Sequence, residues 1–243
     1  MADPVVRFSK VSKRFGSATV LREVDFELHP RQFLGLAGLN GAGKTTLIKC
    51  LLDFCDVDSG TIEIQGLSSR RPEARSRLAF LPEQFVPPYF LTGREFVRTT
   101  LALSDRAYDE EATRAMFADL DLAHEALDKP VRLYSKGMTQ KLGLAACFLS
   151  ARDLYVLDEP MSGLDPLARA RVKARLALLR EQGRTLLVTS HSLADIEEIC
   201  DHMAVLHGGG IVFSGAPEAL RQRFCGQSLE TAFLKCIDND DNG

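Results

Sequence analysis

The run Gly38-Leu39-Asn40-Gly41-Ala42-Gly43-Lys44-Thr45 constrains this chain more than any other segment. It matches G-x-x-x-x-G-K-[ST], the phosphate-binding loop, and its flanks fit the mechanism. A short apolar run, Phe33 to Ala37, precedes it and reads as a buried strand, and a helix is predicted from Lys44 through Leu52. Glycines let successive N–H groups curl toward phosphate oxygens, and the helix N-terminus adds positive dipole charge at the same point. Lys44 is placed to bridge terminal phosphates as a point charge, and Thr45, with Thr46 beside it, opens the helix. A strand, a glycine-rich turn and a helix in this order commit the chain to a βα unit.

The rest of the sequence repeats that grammar. Val5 to Phe8, Val24 to Leu28, Thr61 to Ile64 and Leu78 to Leu81 read as short strands. From Thr92 to Ser150 the periodicity becomes helical, with Phe96, Thr99, Thr100 and Leu103, then Ala112, Met116, Phe117 and Leu120, at three-and-four spacing. This stretch reads as a helical insert. Strand and helix then alternate: Leu154 to Leu157, a helix from Pro166 to Gln182, Thr185 to Thr189, a helix from Leu193 to Cys200, and Met203 to Leu206. Strands separated by helices imply crossovers and a largely parallel sheet, an α/β fold. A hairpin over Gly208 to Phe213 and a short helix from Pro217 close the pattern, and the polar end Asp238 to Gly243 is expected to fray.

Composition removes several classes of function. With 30 basic against 33 acidic residues, net −3, the chain has no global pull toward nucleic acid or anionic lipid. The charge-free stretch Leu142 to Ala151 is far shorter than the ~20 apolar residues of a bilayer span, and no signal-peptide run opens the sequence. A cytoplasmic location is expected. Cys50, Cys55, Cys147, Cys200, Cys225 and Cys236 show no paired spacing and read as reduced thiols. Cys200, His202 and His207 lie close in sequence but lack the second ligand pair of a zinc site.

Two further segments end apolar strands in reactive groups. Leu154-Tyr155-Val156-Leu157-Asp158-Glu159 delivers two carboxylates to the carboxyl edge of the sheet, the edge that carries the phosphate loop. The Thr45 hydroxyl is placed on Mg²⁺, Asp158 suits the same ion held through its water shell, and Glu159 suits the base that polarises the attacking water. His191 follows the Thr185 to Thr189 strand and is placed to sense the same terminal phosphate.

Taken with Tyr134-Ser135-Lys136-Gly137-Met138-Thr139-Gln140-Lys141-Leu142, which looks like a signature segment, and Ser162-Gly163-Leu164-Asp165, which looks like a D-loop, the chain resembles the ATP-binding subunits of ATP-binding-cassette (ABC) transporters. The likeness covers Val5 to about Phe224. It implies a phosphate-loop NTPase core with a mostly parallel sheet, an N-terminal antiparallel β part and an inserted helical subdomain. The implied division is residues 1–225 as the cassette, with the helical subdomain at about 91–150, and 226–243 as a short C-terminal extension.

The resemblance further implies ATP and Mg²⁺ as cofactors and a second copy of the chain as partner. Ser135 and Gly137 of one copy would meet the phosphate loop of the other, with Asp165 in the D-loop near the same interface. Phe15 matches the aromatic that stacks on adenine, although a packing role beside the first strand also fits. In Leu81-Pro82-Glu83-Gln84, either Glu83 or Gln84 could be the residue that reaches Mg²⁺ or its water.

Lys136 and Met138 stand where glycine and glutamine are commoner, a variant similar to type 2 ABC exporters. A membrane-spanning permease on a separate chain is implied, placing the protein at the cytoplasmic face of the membrane. Phe85 to Phe90 lies where the family receives that partner, and packing of the insert onto the core is the competing reading. A non-transport ABC ATPase, for example in iron–sulfur assembly, is the alternative function. A small-molecule kinase is disfavoured by the signature and D-loop.

Overall fold

The computed structural model describes residues 3–241. Two sheets organise it. A four-stranded antiparallel sheet contains β1 (Val6–Phe15), β2 (Ala18–Leu28), β4 (Ser59–Ile64) and β5 (Leu67–Ser68), in the order β2-β1-β4-β5. A six-stranded sheet contains β3 (Phe33–Ala37), β6 (Leu78–Leu81), β7 (Leu154–Asp158), β8 (Thr185–Thr189), β9 (His202–His207) and β10 (Gly210–Gly215), in the order β10-β9-β3-β8-β7-β6. Every pairing in this second sheet is parallel except the β9–β10 hairpin. The sequence-predicted strands at Val5–Phe8 and Val24–Leu28 are the inner ends of a longer hairpin. Charged and polar residues fill its outer half, which is why apolar patterning alone understates β1 and β2.

Alternation along each parallel strand divides the interior in two. Phe33, Tyr155, Leu157, Leu186, Val188, Met203 and Val205 face one side, where they meet the helices α5 (Pro166–Glu181), α6 (Leu193–Ile199) and α8 (Leu229–Asp241). Leu34, Leu36, Leu154, Val156, Leu187, Ala204 and Leu206 face the other, where α1 (Lys44–Leu51) and the antiparallel sheet cover them. Full burial of a side chain of this kind is worth roughly 1.5–3 kcal/mol. At Gly35 the close approach of α6 is itself a sequence requirement, because a Cβ there would stand 2.6 Å from Ile196 Cγ2.

The helical insert comprises α2 (Gly93–Leu103), α3 (Glu110–Asp119), two short 3₁₀ turns and α4 (Lys136–Leu149). Thr92 and Glu95 form a reciprocal capping box at the start of α2, and Asp109 caps α3 by accepting from Ala112 N. A short helix α7 (Pro217–Arg223) leads into α8.

The expectation of a fraying end is not met as far as Asp241, where α8 closes; residues 242 and 243 lie outside the described residues. Leu229, Ala232, Phe233, Cys236 and Ile237 form one buried face of α8, so the acidic residues Asp238 and Asp240 ride on a helix anchored from beneath. Cys50, Cys147, Cys200 and Cys236 are buried free thiols, whereas Cys55 is half-buried and Cys225 exposed.

Candidate nucleotide site

Because β3, β8, β7 and β6 are neighbouring parallel strands, their carboxyl ends open on one edge. The phosphate loop leaves β3 there, with Gly41 at φ +81° and Gly43 at φ +108°, left-handed values that disfavour any other residue. Lys44 folds back over the loop and donates to the carbonyls of Gly38 (2.7 Å) and Leu39 (3.2 Å). Burial lowers its pKa, opposed by the charges of Glu159, Asp158 and Glu83.

Asp158 is 3% exposed at the end of β7 and pairs in register with Thr189 of β8. Thr189 Oγ1 donates to Asp158 Oδ1 (2.6 Å) and accepts from Glu159 N (2.9 Å). Thr45 Oγ1 donates to Asp158 Oδ2 at 3.3 Å. A hydroxyl and a carboxylate at this spacing form an oxygen-only donor set, which suits the small, hard Mg²⁺ when substrate phosphates and water complete the shell.

Glu159 adopts φ +50°, a left-handed backbone in a residue that is not glycine. The turn directs its carboxylate back into the cleft. Oε2 accepts from His191 N (3.2 Å), while Oε1 is buried and accepts no hydrogen bond although His191 Nε2 stands 3.3 Å away. Burial raises the Glu159 pKa, and the His191 imidazole and backbone N–H and the Lys44 ammonium oppose that rise. A buried carboxylate oxygen with an unused lone pair, beside a phosphate loop, has the makings of a general base.

The cleft, about 460 Å³, is lined by Asn40 to Thr46, Val20, Glu83, Asp158, Glu159 and His191. The structure therefore brings the phosphate loop, both carboxylates, the histidine and Glu83 together. Glu83 also borders a second groove, which it shares with Gln84, Phe85, Tyr89, Tyr134 and Lys136; of the two residues left open in the sequence, Glu83 lines the phosphate cleft and Gln84 lines the second groove alone.

Phe15, Ser135, Gly137 and Asp165 also stand outside this cleft. Phe15 is 52% exposed at the tip of the β1–β2 hairpin, with Lys13 Nζ 5.2 Å from its ring centroid. Ser135 is exposed and caps α4 by accepting from Met138 N (3.2 Å). Gly137 abuts Gly163 of the D-loop, and Asp165 caps α5 by accepting from Ala168 N (2.9 Å).

Sequence reasoning missed two residues. Thr189 holds the Asp158 carboxylate and the backbone N–H of Glu159, and its only sequence signal is a hydroxyl at the end of an apolar run. Buried Gln140 donates to the carbonyl of Pro160 (3.0 Å), tying α4 to the turn that follows Glu159.

The ABC transporter family profile matches residues 21–162. An ABC transporter ATP-binding protein of Synechocystis is 38% identical over 81% of this chain, which spans 56% of that protein's length. The Nod factor export ATP-binding protein I of Burkholderia orbicola is 37% identical over 88% of this chain and 72% of its own. The solved structure of an ATP binding subunit of an ABC transporter superposes with a TM-score of 0.89 at 30% identity, over 96% of this chain and 99% of that one. This chain belongs to the ABC transporter family and is an ATP-binding cassette of the ATPase type. No helix among the described residues is long and apolar enough to cross a membrane.

Proposed function

We propose that this cassette is the ATP-hydrolysing motor of an exporter, working as a pair of copies on membrane-spanning subunits carried by other chains. The observation that carries the reading is the buried, unbonded Oε1 of Glu159 in the phosphate cleft, beside His191. In this reading the amides of Gly38 to Thr46 cradle the phosphates and Lys44 exchanges its loop carbonyls for phosphate oxygens. Thr45 and Asp158 hold Mg²⁺, which neutralises charge on the phosphates when bound. Glu159 takes the proton of the attacking water, Glu83 meets the water shell of the metal, and His191 positions both Glu159 and the terminal phosphate.

Exposed Ser135 and half-buried Gly137 both stand away from their own chain's cleft, as expected of groups offered to a second copy. Head to tail, the N-terminus of α4 brings its free amides to the partner's γ-phosphate. Phe15 serves the base in this arrangement. Export is supported by the Burkholderia orbicola relative, whose name assigns it to Nod factor export. With the proposed membrane-spanning partner the chain resides at the cytoplasmic face of a membrane.

Glu159→Gln tests the reading. The variant retains ATP binding, loses roughly 10²–10⁴-fold in turnover, and elutes as an ATP-bound dimer on a sizing column. A monomer in ATP and Mg²⁺ that still turns over at the parent rate overturns it.

A further inference from the structure

A pair of cysteines sits where the helix of the phosphate loop ends. α1 closes through a hydrogen bond from Phe54 N to Lys49 O (2.8 Å), with Asp53 at φ +62°, the geometry of a Schellman turn. That closure brings Phe54 back against Lys49, and so sets the residues that follow them, Cys55 and Cys50, side by side. Both line one small cavity of about 130 Å³, together with Asp53, Asp56, Thr61 and Ser69.

Cys50 is 2% exposed, whereas Cys55 is half-buried and reaches solvent. Burial, and then the neighbouring Cys55, push the Cys50 thiol up to about 12. The Lys13 ammonium, 3.3 Å from Asp58 Oδ1, lies within electrostatic reach of both sulfurs. A core-packing role accounts for Cys50. It does not account for a second, solvent-reaching thiol that lines the same small cavity.

We propose that Cys50 and Cys55 form a modification site that a hydroperoxide converts to an intramolecular disulfide. The half-buried, solvent-reaching Cys55 attacks one peroxide oxygen as its thiolate, and the O–O bond breaks. The second oxygen leaves as hydroxide and is protonated to water or, from an organic hydroperoxide, leaves as the alcohol. The Cys50 sulfur then attacks the resulting sulfenic acid, the S–O bond breaks, and the Cys50 proton leaves with the hydroxyl group as water. Two thiols lose two electrons and one peroxide gains them. Burial shields Cys50 from the oxidant, so the sulfenic acid forms first on Cys55. The bond would staple the far end of the helix that begins at Lys44, next to the Lys13 side chain that covers Phe15.

The test uses the full chain carrying Cys225→Ser, which removes the exposed thiol, treated with hydrogen peroxide, alkylated and digested with trypsin without reduction. The expected product is the Cys50–Arg70 peptide lighter by about 2 Da and resistant to alkylation, reverting with dithiothreitol. In the added variant Cys50→Ser, the Cys55 sulfenic acid persists and is captured by dimedone. Recovery of the peptide with both thiols alkylated, or with Cys55 over-oxidised and Cys50 still alkylated, overturns the proposal. That readout on the Cys225→Ser chain decides even if Cys50→Ser fails to fold.

Discussion

Glu159 concentrates the tension between stability and chemistry in one residue. Its left-handed backbone costs of order 1–3 kcal/mol, and its carboxylate is buried with one oxygen unbonded. Because burial raises the folded-state pKa above the unfolded value, the protonated form is favoured in the fold. That contribution is present below the unfolded pKa and is lost as pH rises through the folded one. The ionised form needed to accept a proton from water therefore weakens the fold at neutral pH. Glu159→Gln should melt higher than the parent near pH 8, with the gain shrinking toward about pH 4 as the parent carboxylate becomes protonated. Thermal melts of the two proteins across that range check the sign; a gain that grows on acidification contradicts the burial argument.

At the level of elements, the site is assembled by strand ends and steadied by the helices behind them. Thr189 can bridge Asp158 and Glu159 only because β7 and β8 run in register, Asp158 opposite Thr189. That register depends in turn on β3, which pairs with β8 and is pressed by α6 at Gly35. A methyl group at Gly35 would also meet Cys200 Sγ at 3.2 Å. Gly35→Ala is therefore expected to destabilise by about 1–3 kcal/mol, seen as a lower urea midpoint with unchanged slope. A midpoint equal to the parent's would mean that α6 gives way easily. Gln140 extends the same logic to α4, whose buried side chain holds the turn after Glu159 while its N-terminus presents Ser135 outward.

Across the whole molecule, the segment after Glu83 and Gln84 divides its aromatics between inside and outside. Phe85 turns inward, its ring edge-on to Phe96 at 5.6 Å, so packing of the insert explains that residue. Tyr89 and Phe90 stack edge-on to each other and are 69% and 64% exposed, with Val86 at 86%. An apolar surface of this kind fits the docking face for a membrane partner under the proposed function. Tyr89→Asp is expected to release the cassette from its permease in a co-purification while free ATPase activity survives. Loss of ATP binding in the purified variant would assign Tyr89 to the fold instead.

The alternating strands and helices, the parallel sheet and the phosphate loop were legible because each is written in local periodicity and in residues with narrow backbone preferences. Asp158, Glu159 and His191 were legible as residues at or just past strand ends, and Lys44 as the first residue of the helix after the loop, in a fold whose carboxyl edge is fixed by chirality and crossover rules. The helix over Leu229–Asp241 was also written in spacing, but its acidic close masked an amphipathic stripe. Strand register, the position of Glu83 on the phosphate cleft, the bridging Thr189, the left-handed turn at Glu159 and the meeting of Cys50 with Cys55 belonged to the tertiary structure alone. Each depends on which segments far apart in the chain, or folded back by a turn, come within hydrogen-bonding distance. Side-chain order along a strand does not encode that, because it is set by packing across the sheet.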